Sequence, residues 1–255
     1  MDINQAFSIL QSAGGIRAAR IITEKHKKLS CLRVWYYARA LRRGIPVAKI
    51  IHSKWFYGFE FYTNKHTLDP RPDTETLVAA VINDCVSDKK RRILDLGTGT
   101  GCIICALCKN INDLSGIGID KSRLALRVAA KNIKQLGLRD KIKIKHGDFA
   151  KFKSNEKFDI IVSNPPYIAR NDTRVNDGAK HDPAIALYAD NYGLAAYEQI
   201  AKNAPHLLKN DGKIYLEIGV GQSNQIIKIF KRFGWKFERF ESDLSGINRA
   251  LVFTL

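Results

Sequence analysis

The chain has no run of about 18 apolar residues, which excludes an α-helical membrane span. Its opening, MDINQAFSILQSAGG, has neither the basic flank nor the long apolar core of a signal peptide, so a soluble, cytoplasmic protein is expected. No internal repeat and no low-complexity tract interrupts it. None of the 6 histidines pairs with another at ligand spacing, and no metal site is expected. Cysteine is odd in number, at 5, and three crowd into CIICALC, a spacing that raises a metal or iron–sulfur site. On a helix Cys102, Cys105 and Cys108 point about 0°, 300° and 240° around the axis, so their thiols splay. They are expected to be small buried packing groups in a reducing compartment.

Acidic side chains are also short. There are 25 Asp and Glu against 42 Lys and Arg, a formal charge of +17. The first 60 residues hold 11 basic and 3 acidic groups. Such an excess attracts nucleic acid, an acidic protein surface or a ribonucleoprotein, and a compositional bias of the genome would produce it equally well.

What the chain does have is 255 residues, enough for one sizeable α/β domain with a small appendage. Residues 1–52 read as short helices: NQAFSILQS, IRAARIITEKHKKL and CLRVWYYARALRRG. With few large apolar groups this part is expected to lean on its neighbour. Residues 53–69, aromatic and partly alternating around Gly58, suit a β-hairpin linker. Residues 70–255 form the main domain, opened by a helix near Pro72 or Asp73. From residue 92 strand-like and helix-like segments alternate: RRILDL, GIGID, KIKIKH, KFDIIVS, GKIYLEI, WKFERFE and RALVFTL. That pattern gives a doubly wound, Rossmann-like α/β sheet of seven strands. The short link SDLSGINR cannot hold a helical crossover, so the last strand is expected antiparallel, at the edge.

After the first strand comes LDLGTGTG. Gly97, Gly99 and Gly101 let the backbone turn tightly and approach a ligand, and the following helix offers unpaired amides. Asp120 ends the second strand, where a carboxylate can take both hydroxyls of a ribose. An adenosine cofactor is expected. The G-x-G-x-G spacing differs from the dinucleotide fingerprint, with Asp95 two residues ahead of it.

The fourth strand ends in SNPPY. In a doubly wound sheet the first and fourth strands are neighbours at the switch point, so GTGTG and NPPY meet there. An amide or aromatic amine is a poor nucleophile because its lone pair is delocalised. Two acceptors gripping its N–H groups, the Asn164 side chain and the Pro165 carbonyl, would draw the nitrogen toward a tetrahedral shape. Pro166 fixes φ and removes a competing donor, and Tyr167 offers a flat face for stacking. No general base is assigned, because a methylated, positively charged nitrogen loses its proton readily. Glu217 is expected to have a structural or supporting role.

LDLGTGTG resembles the first motif of the S-adenosylmethionine-dependent methyltransferases. That resemblance assigns Asp95, Gly97, Thr98, Gly99, Thr100, Gly101, Asp120 and Asn164 to the cofactor. It also implies that Asp148 of HGDFA accepts the adenine amino group while Phe149 stacks on the ring. With RRGIPVAKI, FYGFEF, PRPDTE, DPAIALYADNYGL and LEIGVGQ added, residues 40–255 look like the HemK/PrmC family, which methylates the glutamine of the Gly-Gly-Gln motif in peptide chain release factors. The family implies a release factor partner held by the helical part and the cleft, with Arg71 and the rest of Arg71–Thr74 lining that cleft. Asp69 departs from the apolar residue usual before PRP. NPPY is shared with adenine amino-methyltransferases of DNA and RNA, the alternative reading. Nucleic acid is not expected as substrate, because no stretch is left over for a target-recognition domain. A non-catalytic RNA-binding relic is a third reading, opposed by the joint presence of the cofactor loop and the clamp.

Overall fold

The structure, a computed structural model, describes residues 1–85, 89–172 and 178–255. Asp2 opens α1 (Ile3–Lys25) by accepting from the Asn4 amide, and Gly15, at φ 83°, breaks it into the two shorter helices that the sequence suggests. Ser30 caps α2 (Cys31–Arg42) through the Arg33 amide, and α3 (Val47–Ile51) follows. These helices share a small core in which Leu10, Ile22, Val34, Tyr37 and Ile50 meet.

The hairpin forms as expected. β1 (Lys54–Phe56) and β2 (Phe59–Phe61) join through Tyr57 and Gly58, both left-handed at φ 47° and 79°, as a two-residue turn with matching twist needs. Phe56 and Phe61 meet edge to face, 6.1 Å between centroids, and anchor the hairpin in the main core.

That core lies on a seven-stranded sheet. Along the chain come α4 (Thr74–Asp84), β3 (Arg91–Leu96), α5 (Cys102–Asn110), β4 (Leu114–Asp120), α6 (Arg123–Gln135), β5 (Ile142–His146) and β6 (Phe158–Ser163). The long connection after β6 carries β7 (Ile168–Ala169), α7 (Ala184–Leu187) and β8 (Tyr188–Ala189), with β7 and β8 paired in parallel. Part of that expected polar loop, residues 173–177, lies outside the described residues. Then follow α8 (Asp190–Gly193), α9 (Ala195–Asn203), β9 (Leu208–Glu217), α10 (Ser223–Arg232), β10 (Lys236–Ser242) and β11 (Asn248–Thr254).

The strand order is β10-β11-β9-β6-β3-β4-β5, parallel except for β11, which runs antiparallel to both neighbours. The last strand is reversed as expected, but it is not at the edge. It inserts between β9 and β10, and β10 forms the rim. The burial pattern gives the reason: Ala250, Leu251, Val252 and Phe253 are all buried, so β11 needs cover on both faces, whereas β10 alternates between exposed and half-buried positions. Register shifts at Phe237/Arg239 and Glu241/Ser242 bulge the rim strand.

Side chains alternate between two layers. Ile93, Val162, Tyr215 and Val252 pack under α4 and α5, while Leu94, Ile161, Leu216 and Leu251 pack under α9 and α10. Cys102, Cys105 and Cys108 are buried in the first layer, and burial pushes the Cys102 and Cys108 thiols up to about 12. At the carboxyl ends of β3 and β6, Leu96 pairs with Ser163, whose hydroxyl donates to the Leu96 carbonyl at 2.7 Å. The loops diverge from that point to opposite sides of the sheet, opening the crevice that this topology places there.

Candidate active site

A cavity of about 320 Å³ occupies the crevice, large enough for a nucleoside-sized ligand. Gly97, Thr98, Gly99 and Thr100 form one wall, with Asp120, Asp148 and Phe149 beside them. Asn164, Pro166, Arg71 and Thr74 face them. The glycine loop and the NPPY segment therefore meet across one space. Asp95, Gly101 and the side chains of Pro165 and Tyr167 do not line it.

Asp95 and Gly101 shape the glycine loop. Asp95 is fully buried, and its Oδ2 accepts from the Thr98 hydroxyl at 2.6 Å, which fixes the loop from below. Burial pushes its carboxyl up to about 7. Gly101, left-handed at φ 78°, is the N-cap of α5. A Cβ on it would lie 3.4 Å from that of Ala129, so the position suits a bare backbone.

Asp120 accepts from the Gly99 amide at 2.9 Å through Oδ2 and from the Ser122 amide at 2.8 Å through Oδ1. Burial raises its pKa against the pull of those two amides. Each oxygen keeps a second lone pair for a ligand hydroxyl. Asp148 accepts from the Ala150 amide at 3.0 Å and pairs with Lys121 at 3.2 Å. Burial works to raise its pKa, but the amide and the ammonium hold it below the usual carboxylate value.

On the opposite wall, the Asn164 Nδ2 donates to the Thr74 hydroxyl at 3.1 Å, which leaves Oδ1 as a free acceptor toward the cavity. Thr74 comes from PRPDTE, so that motif reaches the clamp through a side chain. Asp73 makes no capping bond with its own helix; its carboxylate pairs with Arg249 at 3.1 Å. Tyr167 turns away from the cavity and donates to Glu217 Oε1 at 3.4 Å, while its carbonyl accepts from Gln222 at 3.0 Å. The stacking face expected from Tyr167 is thus not presented to the cavity, because its ring is packed among buried residues of the second layer.

The site also contains residues that sequence reasoning missed. Pro183, Ile185, Ala186 and Tyr188, from the connection after β6, close the cavity from above. The apolar DPAIALYA stretch inside a polar loop was the available signal. Asp182, ahead of it, is held by Arg71 at 2.6 Å and by Lys49 of α3 at 2.8 Å. Lys49 also pairs with Asp69 at 2.8 Å, which explains the unusual acid before PRP: it answers a buried ammonium.

The cations on the wall are already committed. Lys121 pairs with Asp148, Arg71 with Asp182 and Arg170 with Asp190. What the cavity offers is mainly oxygen acceptors and backbone amides. This suits hydroxyl and amino donors and a cationic centre.

Comparison with known proteins agrees with this fold. The methyltransferase small domain family matches residues 69–180. The release factor glutamine methyltransferase of Caulobacter vibrioides is 34% identical over 96% of this chain and 86% of its own length. The chain belongs to the release factor glutamine methyltransferase family. A bifunctional methyltransferase of Rickettsia prowazekii is 35% identical over 97% of this chain but only 52% of its own length, so the chain spans about half of that relative. Among solved structures, a ribosomal protein L11 methylase from Lactobacillus delbrueckii superposes with a TM-score of 0.56 at 17% identity, covering 74% of this chain and 81% of that one. At that identity the likeness speaks for the fold. The donor set on the wall fits S-adenosylmethionine as the cofactor of this methyltransferase.

Proposed function

We propose that this chain transfers a methyl group from S-adenosylmethionine to the side-chain amide nitrogen of the glutamine in the Gly-Gly-Gln motif of cytoplasmic peptide chain release factors. The observation that carries this reading is the Asn164 amide, anchored through its nitrogen to Thr74 and turned oxygen-first into the cavity opposite the glycine loop. When bound, the cofactor supplies an electrophilic methyl on a sulfonium. Asp120 would hold the ribose hydroxyls, Asp148 the adenine amino group and Phe149 the ring face, with Gly97 to Thr100 approached closely by the ligand. Asn164 Oδ1 and the Pro165 carbonyl would accept from the substrate N–H groups and hold the nitrogen in line for attack. Pro166 narrows the wall beside them and Arg71, held by Asp182, borders the way in. The proton leaves the alkylated nitrogen to solvent, so no base is needed on the wall.

The choice of glutamine over adenine, which offers a similar planar nitrogen, rests on family membership and on PRPDTE reaching the clamp through Thr74. The helical part, residues 1–52, would dock the release factor beside the cleft. The test offers labelled S-adenosylmethionine to full-length release factor, to its Gln-to-Ala variant at Gly-Gly-Gln, and to DNA and RNA. Label should enter only the unaltered factor; label in nucleic acid, or equal label in the variant, would overturn the reading.

A further inference from the structure

The inward face of α2 is used in packing: Val34, Tyr37, Ala38 and Leu41 close the small helical core. Its outward face has no such use. Leu32, Trp35 and Tyr36 are 82%, 61% and 60% exposed, and with Arg39 and Arg43 they follow one another at helical spacing along a single stripe. Large apolar groups left so open add little to folding, and set side by side they mark a contact surface. Where the stripe ends, Trp35, Arg39, Arg42 and Arg43 surround a hollow of about 260 Å³, with the Arg39 guanidinium 5.5 Å from the Trp35 ring centroid. No acidic side chain lines the hollow, and none of the three arginines has an ion pair among the described residues. The dipole at the end of α2 accounts for cations there, but not for the exposed indole and the Leu32 side chain in line with them.

We propose that this stripe is a docking surface for an acidic protein segment, one that sets carboxylates into the arginine hollow and an apolar side chain against Trp35, Tyr36 and Leu32. The proposal rests on the reading of this chain as a release factor methyltransferase, and the segment belongs to the release factor itself. Charge complementarity names the chemistry: guanidinium forks hold carboxylates two bonds at a time, and Trp, Tyr and Arg are the groups that carry protein interfaces. A phosphate chain would use the arginines but gain nothing from Leu32, so a protein fits better than a nucleic acid. Position names the partner. Gly44 follows the hollow, and a Cβ on it would lie 3.9 Å from His181 Nε2, next to Asp182 at the root of the cavity roof. The 12 residues of α2 span about 18 Å, so a protein whose glutamine reaches Asn164 has the stripe within reach of its own surface. The stripe then selects the factor, while the cavity selects the amide.

Two substrates separate docking from chemistry: the full-length release factor, and a short Gly-Gly-Gln peptide that enters the cavity without spanning the stripe. Arg39→Glu with Arg43→Glu, and separately Trp35→Ala, should raise KM for the factor at least about tenfold, with kcat within about twofold. Transfer to the peptide should change far less. Lys228→Glu, an exposed charge reversal on α10, should leave KM for the factor as in the original. Arg39→Gln with Arg43→Gln keeps much of each side chain's bulk and should give a smaller rise, which keeps the surface testable if reversed charges upset folding. KM for the factor should climb with ionic strength in the original protein and less steeply in the doubly reversed one. Polyglutamate should compete with the factor, and polyuridylate of equal charge should compete less. An unchanged KM in Trp35→Ala and in the Gln pair, an equal effect of Lys228→Glu, an equal loss with the peptide, or stronger competition by polyuridylate overturns the proposal. Fluorescence anisotropy of labelled factor separates the two readings. A chain that binds the factor through the stripe yet methylates neither substrate sinks the proposed function alone, whereas normal methylation with a KM indifferent to the stripe sinks the docking surface alone.

Discussion

Replacing Lys49 with methionine should loosen the roof of the cavity from a point outside it. The Lys49 ammonium is buried, with Asp69 Oδ1, Asp182 Oδ1 and the Asn64 carbonyl each at 2.8 Å, and the Thr67 carbonyl also accepts from it. With the ammonium gone, Asp182 keeps Arg71 at 2.6 Å, but among the described residues Asp69 keeps only the Thr63 hydroxyl, also at 2.6 Å. Removing one partner of a buried pair costs about 3–5 kcal/mol because the other charge stays desolvated, whereas replacing the pair with apolar groups is often near neutral. Lys49→Met alone should therefore lower stability by about 3 kcal/mol or more. Adding Asp69→Leu should recover at least about half of that loss. Urea unfolding of the original, the two single variants and the double variant closes the cycle. The same four proteins, titrated with S-adenosylmethionine, should show weaker binding in Lys49→Met, since Asp182 leads directly into Pro183, Ile185 and Ala186 of the wall. A loss under about 1 kcal/mol, or effects of the two changes that simply add, would refute the reasoning.

Asn164→Ala should cut methyl transfer by about a hundredfold while leaving cofactor Kd within a few-fold, because it removes an acceptor needed mainly as the nitrogen changes shape; single-turnover assays with separate calorimetry decide it, and surviving transfer would remove Asn164 from the clamp. Asp95 and Glu217 each titrate near 7 in the folded chain, above 3.8 and 4.5 unfolded, so the native state binds more protons between about pH 4 and 7 and stability falls as pH rises through that window. Asp95→Asn keeps an acceptor for Thr98 and should flatten part of that decline in urea midpoints taken from pH 4.5 to 8; an unchanged slope would contradict the burial argument. Gly116→Ala should abolish folding or cost more than about 4 kcal/mol, since a Cβ there would sit 2.1 Å from the Ile93 carbonyl across β3 and β4; a native circular dichroism spectrum with an unshifted Tm would show that the strands can part.

The fold was legible where periodicity and punctuation agree. Alternation of apolar runs with helical segments gave the sheet, Gly58 the hairpin and the short SDLSGINR link the reversed strand. The position of that strand was not legible, because pairing depends on how much of each strand needs cover, and only the contrast between RALVFTL and KFERFE carried that information. At the site, the residues supplied by backbone shape were the easy ones: Gly97, Gly99, Gly101, Asp120 and the NPPY segment announce themselves by type and spacing. Tyr167 misled because an aromatic next to a clamp reads as a stacking platform, and nothing local says that Glu217 and Gln222 turn it inward. Lys49, Asp69 and Asp182 come from three distant stretches, and a charge looks the same in sequence whether it meets water or a buried partner.

The rim strands settle a separate matter, how this sheet avoids growing. A seven-stranded sheet ends in two rows of unpaired backbone groups, a template for any extended chain nearby. Here β5 carries Lys143 and Lys145 on its outer residues, and β10 carries Lys236, Glu238, Arg239 and Glu241 along a bulged path. A second copy laid against either rim would have to bury charge or follow a bend it does not share. The apolar strand that would be the more adhesive edge, β11, is sealed one position inside. Swapping the order of those two strands would keep every residue and leave a sticky edge facing the cell's unfolded chains.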